Sequence, residues 1–116
     1  MPDHRSWLSV ALESYEAGKA AADLGLDRSA LSRFYYAAYQ AATAGLLYRG
    51  VTPPTLLAED GSLREAWSHS ETPELFVVQM EPLIPSKDQR QRVRNHLAAL
   101  YRKRIRADYL MEQPVE

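Results

Sequence analysis

SALSRFYYAAYQAATAGLLYR, residues 29–49, is apolar or small on nearly every side when it is drawn as a helix. A helix of that composition belongs in the middle of a bundle, where neighbouring helices cover it. Two adjacent stripes of apolar and small residues follow the alternating spacing of four and three that a helical face requires. One narrow line differs, because it carries an arginine, a phenol and an amide: Ser29, Arg33, Tyr36, Gln40 and Thr43. Since an unpaired buried charge costs several kcal/mol, we expect this polar line to have partners and to mark a functional site.

Start and stop signals on either side of this stretch predict further helices. A first helix is expected over about 6–24, and Asp27 is expected to cap the central helix, which Gly50 ends. The first two helices then form an antiparallel hairpin. The last helix is expected over about 86–111, a segment with neither glycine nor proline, and the tail 112–116 is expected to fray.

The segment between the central and last helices carries weaker signals. Residues 52–61 hold two prolines and an acidic pair, which favours a loop. Ser62 and Glu65 have the spacing of a capping box and predict a short helix through about His69, and a Thr-Pro pair predicts a second short helix over 74–80. No strand is expected. We therefore predict an all-α protein, an up-and-down bundle of four main helices plus short helices.

Composition indicates one globular domain over residues 1–116. Hydrophobic residues make up 46% and charged residues 25% of the chain, which is the ordinary range of folded proteins. The absence of cysteine excludes disulfides and thiolate sites. Because no apolar run approaches the roughly 18 residues that span a bilayer, and the N-terminus lacks a hydrophobic signal core, we expect a cytoplasmic protein without membrane contact.

Positive charge is concentrated near the C-terminal end. Residues 87–106 contain eight basic side chains, Arg94 among them, against the single acid Asp88, which gives a local charge of +7. Such a cluster is able to bind an RNA backbone. An acidic protein partner explains it equally well, and part of the cluster is simply solvated surface, because its residues point several ways round the helix.

Two segments together resemble the HEPN domains (higher eukaryotes and prokaryotes nucleotide-binding), in particular the small prokaryotic stand-alone kind. They are SRFYYAAY at 32–39 and RIRADY at 104–109, and the His69-Ser70 pair resembles another feature of these domains. The resemblance covers the chain from the first helix through Tyr109. It implies a helical bundle that commonly dimerises and acts on RNA. Many members are metal-independent endoribonucleases, often the toxin of a toxin–antitoxin pair whose antitoxin is a minimal nucleotidyltransferase.

The catalytic signature of this family is an arginine followed, after four to six residues, by a histidine. In this chain Tyr109 stands where the signature that starts at Arg104 has its histidine. Other arginine–histidine pairs with the spacing are Arg90 with His96 and Arg64 with His69. The departure at Tyr109 favours binding of RNA or a nucleotide over efficient cleavage.

Candidate roles follow from side-chain chemistry. Arg104 is expected to stabilise negative charge on a phosphate, and His96 is the first candidate for proton transfer because imidazole titrates near neutral pH. Tyr109 is a poorer candidate, with an ordinary pKa near 10. The other candidate ligand-binding residues are Arg33, Tyr36, Gln40, Arg94 and Asp108. The alternatives are a structural network around Arg33, Arg104 and Asp108, a half-exposed surface position for His96 and a helix-end or loop contact for His69.

Three functional hypotheses remain at this point. The first is an RNA- or nucleotide-binding HEPN-like protein, the toxin-type half of a two-component module with a nucleotidyltransferase-type antitoxin, acting as a homodimer with weak or no cleavage. The second is an active metal-independent endoribonuclease. The third is a non-enzymatic structural or protein-interaction bundle. No P-loop, glycine-rich phosphate cradle or histidine cluster is present in the sequence, so we expect neither a cofactor nor a bound metal.

Overall fold

The structure is a computed structural model that describes residues 3–109, with side chains through residue 106. The expected frayed tail, 112–116, lies outside these residues. The elements, in chain order, are α1 (His4–Asp23), α2 (Asp27–Tyr48), β1 (Thr55–Leu57), β2 (Leu63–Glu65), α3 (Glu71–Gln79) and α4 (Lys87–Tyr109). The predicted all-α bundle is confirmed, with the addition of one small two-stranded hairpin.

Helices α1 and α2 form the predicted antiparallel hairpin. The Asp3 carboxylate caps α1 by accepting a hydrogen bond from the Ser6 backbone N–H at 2.9 Å. The two helices approach so closely at Gly18 that a Cβ there would lie 2.7 Å from the ring of Phe34. The prediction that Asp27 caps α2 is wrong, because Asp27 is the first helical residue, where its carboxylate faces the positive end of the helix dipole.

Helix α2 lies at the centre of the bundle, as its sequence predicts. Among the described residues it contributes more buried side chains than any other element. The main core cluster joins it to α3 and α4 through Tyr35, Ala42, Phe76, Met80 and Leu97. One stretch of the predicted apolar stripe is not covered, because Ala41 is exposed.

The connection after α2 differs from the prediction. In place of a loop followed by a capping-box helix at Ser62, the chain forms the antiparallel hairpin of β1 and β2, with Leu57 opposite Leu63. The turn depends on Gly61, whose φ of +85° is a conformation that glycine adopts without strain. Ser62 donates its backbone N–H and its hydroxyl to the Asp60 carboxylate, at 2.9 and 2.6 Å, so it stabilises the turn instead of a helix.

Helix α3 starts three residues before the predicted 74–80 helix. The Ser68 hydroxyl accepts from the backbone N–H of Glu71 at 3.1 Å, and its carbonyl accepts from the Thr72 hydroxyl at 2.8 Å. The Thr72-Pro73 pair, whose threonine the sequence predicts as the cap of this helix, therefore lies inside it, and Ser68 supplies the side-chain hydrogen bond at its start. The loop from α3 to α4 is held by Arg90, which is buried and donates from Nη1 to the carbonyls of Ile84 and Pro85 at 2.8 and 3.0 Å.

Candidate functional site

Six polar or aromatic side chains from three parts of the chain meet on one side of α2. We call this group the Arg104 cluster, and its members are Tyr35, Tyr36, Tyr39, His69, Tyr101 and Arg104. Tyr35 and Tyr39 share a helical face because they are one turn apart on α2. The segment before α3 contributes His69, and α4 contributes Tyr101 and Arg104. Tyr35 is almost fully buried and the other five are half-buried, so the cluster reaches the surface.

His69 is held at the middle of this cluster. Its ring stacks on Tyr101, with centroids 5.2 Å apart and planes within 9°, and it contacts the ring of Tyr39 at 4.6 Å. Nδ1 is hydrogen-bonded to the Tyr35 hydroxyl. We assign the phenol as the donor, because it is a much stronger acid than a neutral imidazole N–H. The proton of the neutral ring is then on Nε2, which has no hydrogen-bond partner among the described residues.

Burial and charge keep the ring of His69 neutral. The pKa of His69 is lowered from its ordinary value, first by burial and then by the positive charge of Arg104. The pKa of Tyr35 is strongly raised, chiefly by burial, with smaller contributions from the neighbouring tyrosines. Near neutral pH the pair is therefore an uncharged phenol donating to an uncharged imidazole, with one imidazole nitrogen left for a ligand.

The position of His69 depends on an anchor two residues earlier. Trp67 is only 3% exposed, and its carbonyl accepts a hydrogen bond from the Tyr39 hydroxyl at 2.5 Å. Tyr35 and Tyr39 thus hold the same short segment at two points against α2. This double attachment orients the imidazole more firmly than a single contact from an exposed loop.

Arg104 lies against the aromatic rings of α2. Its guanidinium carbon is 5.1 Å from the ring centre of Tyr36 and 5.8 Å from that of Tyr35, within the range of cation–π attraction. The side chain is half-buried. A guanidinium in such a setting is fixed in orientation while its planar N–H groups suit the oxygens of a phosphate.

Three predicted ligand-binding residues lie elsewhere or have structural partners. Arg33 is exposed, and no hydrogen bond or ion pair joins it to another described residue. The Gln40 side-chain carbonyl accepts from the Ser14 hydroxyl at 2.7 Å, which ties α2 to α1. Arg94 is 3.5 Å from a carboxylate oxygen of Glu74, so part of its charge is compensated within the chain.

The candidates for proton transfer are separated from one another. His96 is exposed and precedes Arg104 by eight residues, which is about 12 Å along the helix axis. Arg90, whose spacing to His96 also fits the catalytic signature, instead donates hydrogen bonds to carbonyls of the loop before α4. The side chains of Asp108 and Tyr109 lie outside the described part of the chain. Of the predicted residues, the structure therefore joins Arg104 with Tyr36.

His69 is the residue that sequence reasoning undervalued. It was expected to make a loop contact, yet it is the histidine that shares a cluster with Arg104. The signal was available in the His69-Ser70 pair just before α3, which resembles a feature of the HEPN domains. Spacing along the chain did not reveal the arginine partner, which lies 35 positions later on α4.

Helix α4 also presents a cationic face to solvent. The exposed basic side chains in its described part are Lys87, Arg92, Arg102, Lys103 and Arg106. Apart from Lys87, they fall within an arc of about 100° when residues are placed at 3.6 per turn. Of the basic residues in α4, Arg90 and Arg94 thus have partners within the chain, and the exposed ones are available to a binding partner.

The described part of the chain shows neither a metal-binding group nor a membrane-spanning helix. The described side chains, those of residues 3–106, include no group of three histidine, aspartate or glutamate residues placed to hold a metal ion. None of the helices in this part of the chain is long and apolar enough to cross a membrane.

The chain was also compared with known proteins. Comparisons with protein-family models, with curated proteins and with solved structures found no match.

Proposed function

We propose that this protein binds single-stranded RNA at the Arg104 cluster. The observation that carries the proposal is the guanidinium of Arg104, held over the rings of Tyr36 and Tyr35 beside the imidazole of His69. In this arrangement Arg104 binds a backbone phosphate, and the half-buried rings of Tyr36 and Tyr101 offer faces on which bases stack. The resemblance to HEPN domains supports the same assignment.

Charge beyond the cluster supports binding of a polyanion. The exposed cations of α4 lie on the helix that also carries Arg104, but their arc begins about 100° round the helix axis from it, so an RNA strand bound at the cluster has to pass round α4 to make further phosphate contacts. Such contacts are independent of sequence and weaken as salt is raised. We therefore assign Arg104 the role of positioning one phosphate, and the α4 surface the role of increasing affinity.

Fluorescence anisotropy with a labelled single-stranded RNA tests the proposal. Arg104→Ala should weaken binding about tenfold or more, because a charge-assisted contact contributes about 1.5–3 kcal/mol. The slope of affinity against salt should fall by about 0.7 for one lost phosphate contact. Arg5→Ala, which removes the same charge from the exposed start of α1, is the matched control and should bind like the wild type.

Equal affinities for Arg104→Ala and Arg5→Ala would exclude the cluster as the binding site. Circular dichroism of both variants separates loss of binding from loss of fold. Arg33→Ala belongs in the same series, because the sequence places Arg33 on the polar line of α2 while the structure leaves it exposed. An affinity loss in that variant would extend the site along α2.

The biological role we propose is that of the toxin-type half of a two-component module. The antitoxin would be of the nucleotidyltransferase type, as the HEPN resemblance implies, and the +7 segment of α4 would suit an acidic surface on it. If a small nucleotidyltransferase is encoded beside this chain, co-expression with it tests the proposal. Growth inhibition that the partner relieves is the expected result, and unimpaired growth under strong expression of this chain alone contradicts it.

RNA cleavage is a second candidate function, and the position of the His69 imidazole beside Arg104 favours it. With Nδ1 engaged by the phenol, Nε2 of His69 is the nitrogen available to a bound 2′-hydroxyl. In its other tautomer, with the proton moved to Nδ1, the imidazole accepts the 2′ proton while the oxygen attacks phosphorus. The same proton then goes to the departing 5′ oxygen, leaving a 2′,3′-cyclic phosphate and a 5′-hydroxyl. Arg104 stabilises the charge on the phosphorane.

Cleavage is distinguished from binding by assays in EDTA with the purified protein. If the reaction occurs, His69→Ala should abolish it while leaving RNA affinity within a few-fold, whereas His96→Ala should retain it. The reverse pattern would restore the sequence-based assignment of His96. Wild-type protein that binds RNA and leaves it intact would leave binding as the function.

A further inference from the structure

A cleft between α2, α3 and α4 has the size and lining of a small-molecule pocket. Its volume is about 440 Å³, and its walls are Phe76 of α3 and Val93 and Leu97 of α4. The floor is formed by alanines of α2, whose small side chains leave the space open. Pockets for small molecules are concave, mostly apolar and roughly 300–1,000 Å³ in volume. The cleft therefore has room for one small ligand.

The cleft is built by residues that the fold already holds in place. Ala42, Phe76 and Leu97 line it and are also buried members of the main core cluster. Because these side chains pack against one another, their positions do not depend on a ligand. Val93, which is 38% exposed, forms the outer wall. A preformed cavity of this kind binds without the entropic cost of ordering its own side chains.

The lining determines what kind of molecule fits inside the cleft. Apart from Arg92 and His96, every described residue that lines it is hydrophobic. A nucleobase or a sugar would give up its hydrogen bonds with water there and find no new partner, which is unfavourable for each polar group. The part of the ligand that lies inside the cleft is therefore a hydrocarbon.

The edge of the cleft carries the charge that suits the other end of such a ligand. Arg92 and His96 are exposed and lie one turn apart on α4, so they share one side of the helix. No hydrogen bond or ion pair joins Arg92 to another described residue. A guanidinium donates two parallel N–H groups, which match the two oxygens of a carboxylate. The complementary ligand therefore carries a carboxylate at one end.

The apolar surface is longer than the cleft itself. At Ala38, Ala41 and Leu100 the cleft opens into a groove of about 780 Å³ along α1. None of the residues that line this groove, all of them within the described part of the chain, is charged. An elongated chain therefore has room to extend away from Arg92. Since Leu100 precedes Arg104 by one turn of α4, the cleft adjoins the Arg104 cluster.

We propose that this cleft binds a single-chain amphiphile, a molecule with an aliphatic chain and a terminal carboxylate, such as a fatty acid. The chain lies on the alanines of α2 between Phe76 and Leu97, and the carboxylate accepts hydrogen bonds from Arg92. This site goes beyond RNA binding, because its ligand is apolar over most of its length and is held by Arg92 instead of Arg104.

Isothermal titration calorimetry with decanoate, below the concentration at which it forms micelles, tests the site. Saturable binding of one molecule per chain is expected, and decanol should bind more weakly because it lacks the charge. Arg92→Gln should weaken decanoate binding about two- to fivefold and remove the preference over decanol. Arg102→Gln is the matched control, because Arg102 is also an exposed arginine of α4 and does not line the cleft.

A second pair of variants tests the position of the chain. Val93→Glu places a carboxylate in the wall of the cleft and should weaken decanoate binding about tenfold or more. Val78→Glu is its control, since Val78 is 67% exposed on α3 and lies outside the cleft. Circular dichroism shows that each variant is folded.

Three results would overturn the proposal. They are a wild-type protein that does not bind decanoate, equal decanoate affinities for the two arginine variants, and equal affinities for the two folded glutamate variants. If Val93→Glu does not fold, the arginine pair still decides. RNA is absent from these titrations, so failure of this site and failure of RNA binding are separate results.

Discussion

Removing the hydroxyl of Tyr35 is expected to reveal how strongly the phenol and His69 are coupled. Tyr35→Phe keeps the ring in the core and deletes only the hydrogen bond to Nδ1 of the imidazole. His69→Phe deletes the same bond from the other side and keeps a ring that stacks on Tyr101. A double-mutant cycle built from these two changes isolates the energy of the pair.

The burial of Tyr35 and His69 determines the expected size of their coupling free energy. A neutral hydrogen bond contributes about 0.5–1.5 kcal/mol to stability, and because His69 is only half-buried, water replaces part of the lost interaction. We therefore expect a coupling free energy of about 1 kcal/mol. Tyr48→Phe is the control, since Tyr48 is 60% exposed and lies thirteen residues, about 20 Å, along α2 from Tyr35. Its coupling with His69→Phe should stay below about 0.3 kcal/mol.

Urea denaturation followed by circular dichroism measures the four stabilities at a series of pH values. The coupling should be complete above the ordinary histidine pKa of about 6.5, where the ring is neutral in both states. As the pH falls through the lowered pKa of folded His69, Nδ1 becomes protonated and no longer accepts, so the coupling should disappear. A coupling near zero at neutral pH would refute the bond. A coupling that survives acidification would show that the protonated imidazole then donates from Nδ1 to the Tyr35 oxygen.

Three further outcomes are expected. Burial lowers the pKa of His69, so as the pH falls the unfolded chain binds a proton before the folded chain does. The free energy of unfolding should therefore decrease as pH falls from about 6.5 to the pKa of His69 in the folded protein. His69→Gln should make this dependence on pH weaker in urea titrations. Gly18→Ala should destabilise the protein by about 1 kcal/mol, because overlap with Phe34 costs about 1–3 kcal/mol and the higher helix propensity of alanine offsets about 1 kcal/mol of this. Thermal denaturation should show a Tm lowered by about 4 °C. A higher Tm would mean that the Phe34 ring moves aside. Arg90→Ala should cost about 2–3 kcal/mol through its lost bonds to loop carbonyls, whereas exposed Arg92→Ala should change stability by less than about 0.5; similar urea midpoints for the two would contradict the structural role.

The helical part of the fold was readable because its signals are periodic and local. The apolar stripes of residues 29–49 require a helix covered on several sides, and the run without glycine or proline before 109 requires another. The hairpin was missed where two local signals compete. Ser62 and Glu65 have the spacing of a capping box, while Asp60-Gly61 is a turn sequence that favours a hairpin. The positive φ of Gly61 and the bonds from Ser62 to Asp60 decide for the turn.

The site was readable only in part. Tyr36 was identified from the polar line of residues 29–49, and Arg104 from the segment that resembles a HEPN motif. That Arg104 and His69 lie in one cluster could not be predicted from sequence, because it depends on how the short segment before α3 packs against α2. Two tyrosine hydroxyls, on Tyr35 and Tyr39, determine that placement. Spacing along the chain does not reveal that His69 and Arg104 are close, because the contacts that bring them together are made by a third element, α2.

The hairpin between α2 and α3 suggests a use in protein engineering. The bonds of its turn are local, such as that from the Ala58 N–H to the Ser62 carbonyl at 2.8 Å, and a bond from the Ala66 N–H to the Pro54 carbonyl at 3.1 Å closes its base. Residues 59–61 at its tip are exposed. An inserted epitope or fluorescent domain would therefore be carried on a stalk whose base stays closed. The chain can be labelled there without use of either terminus.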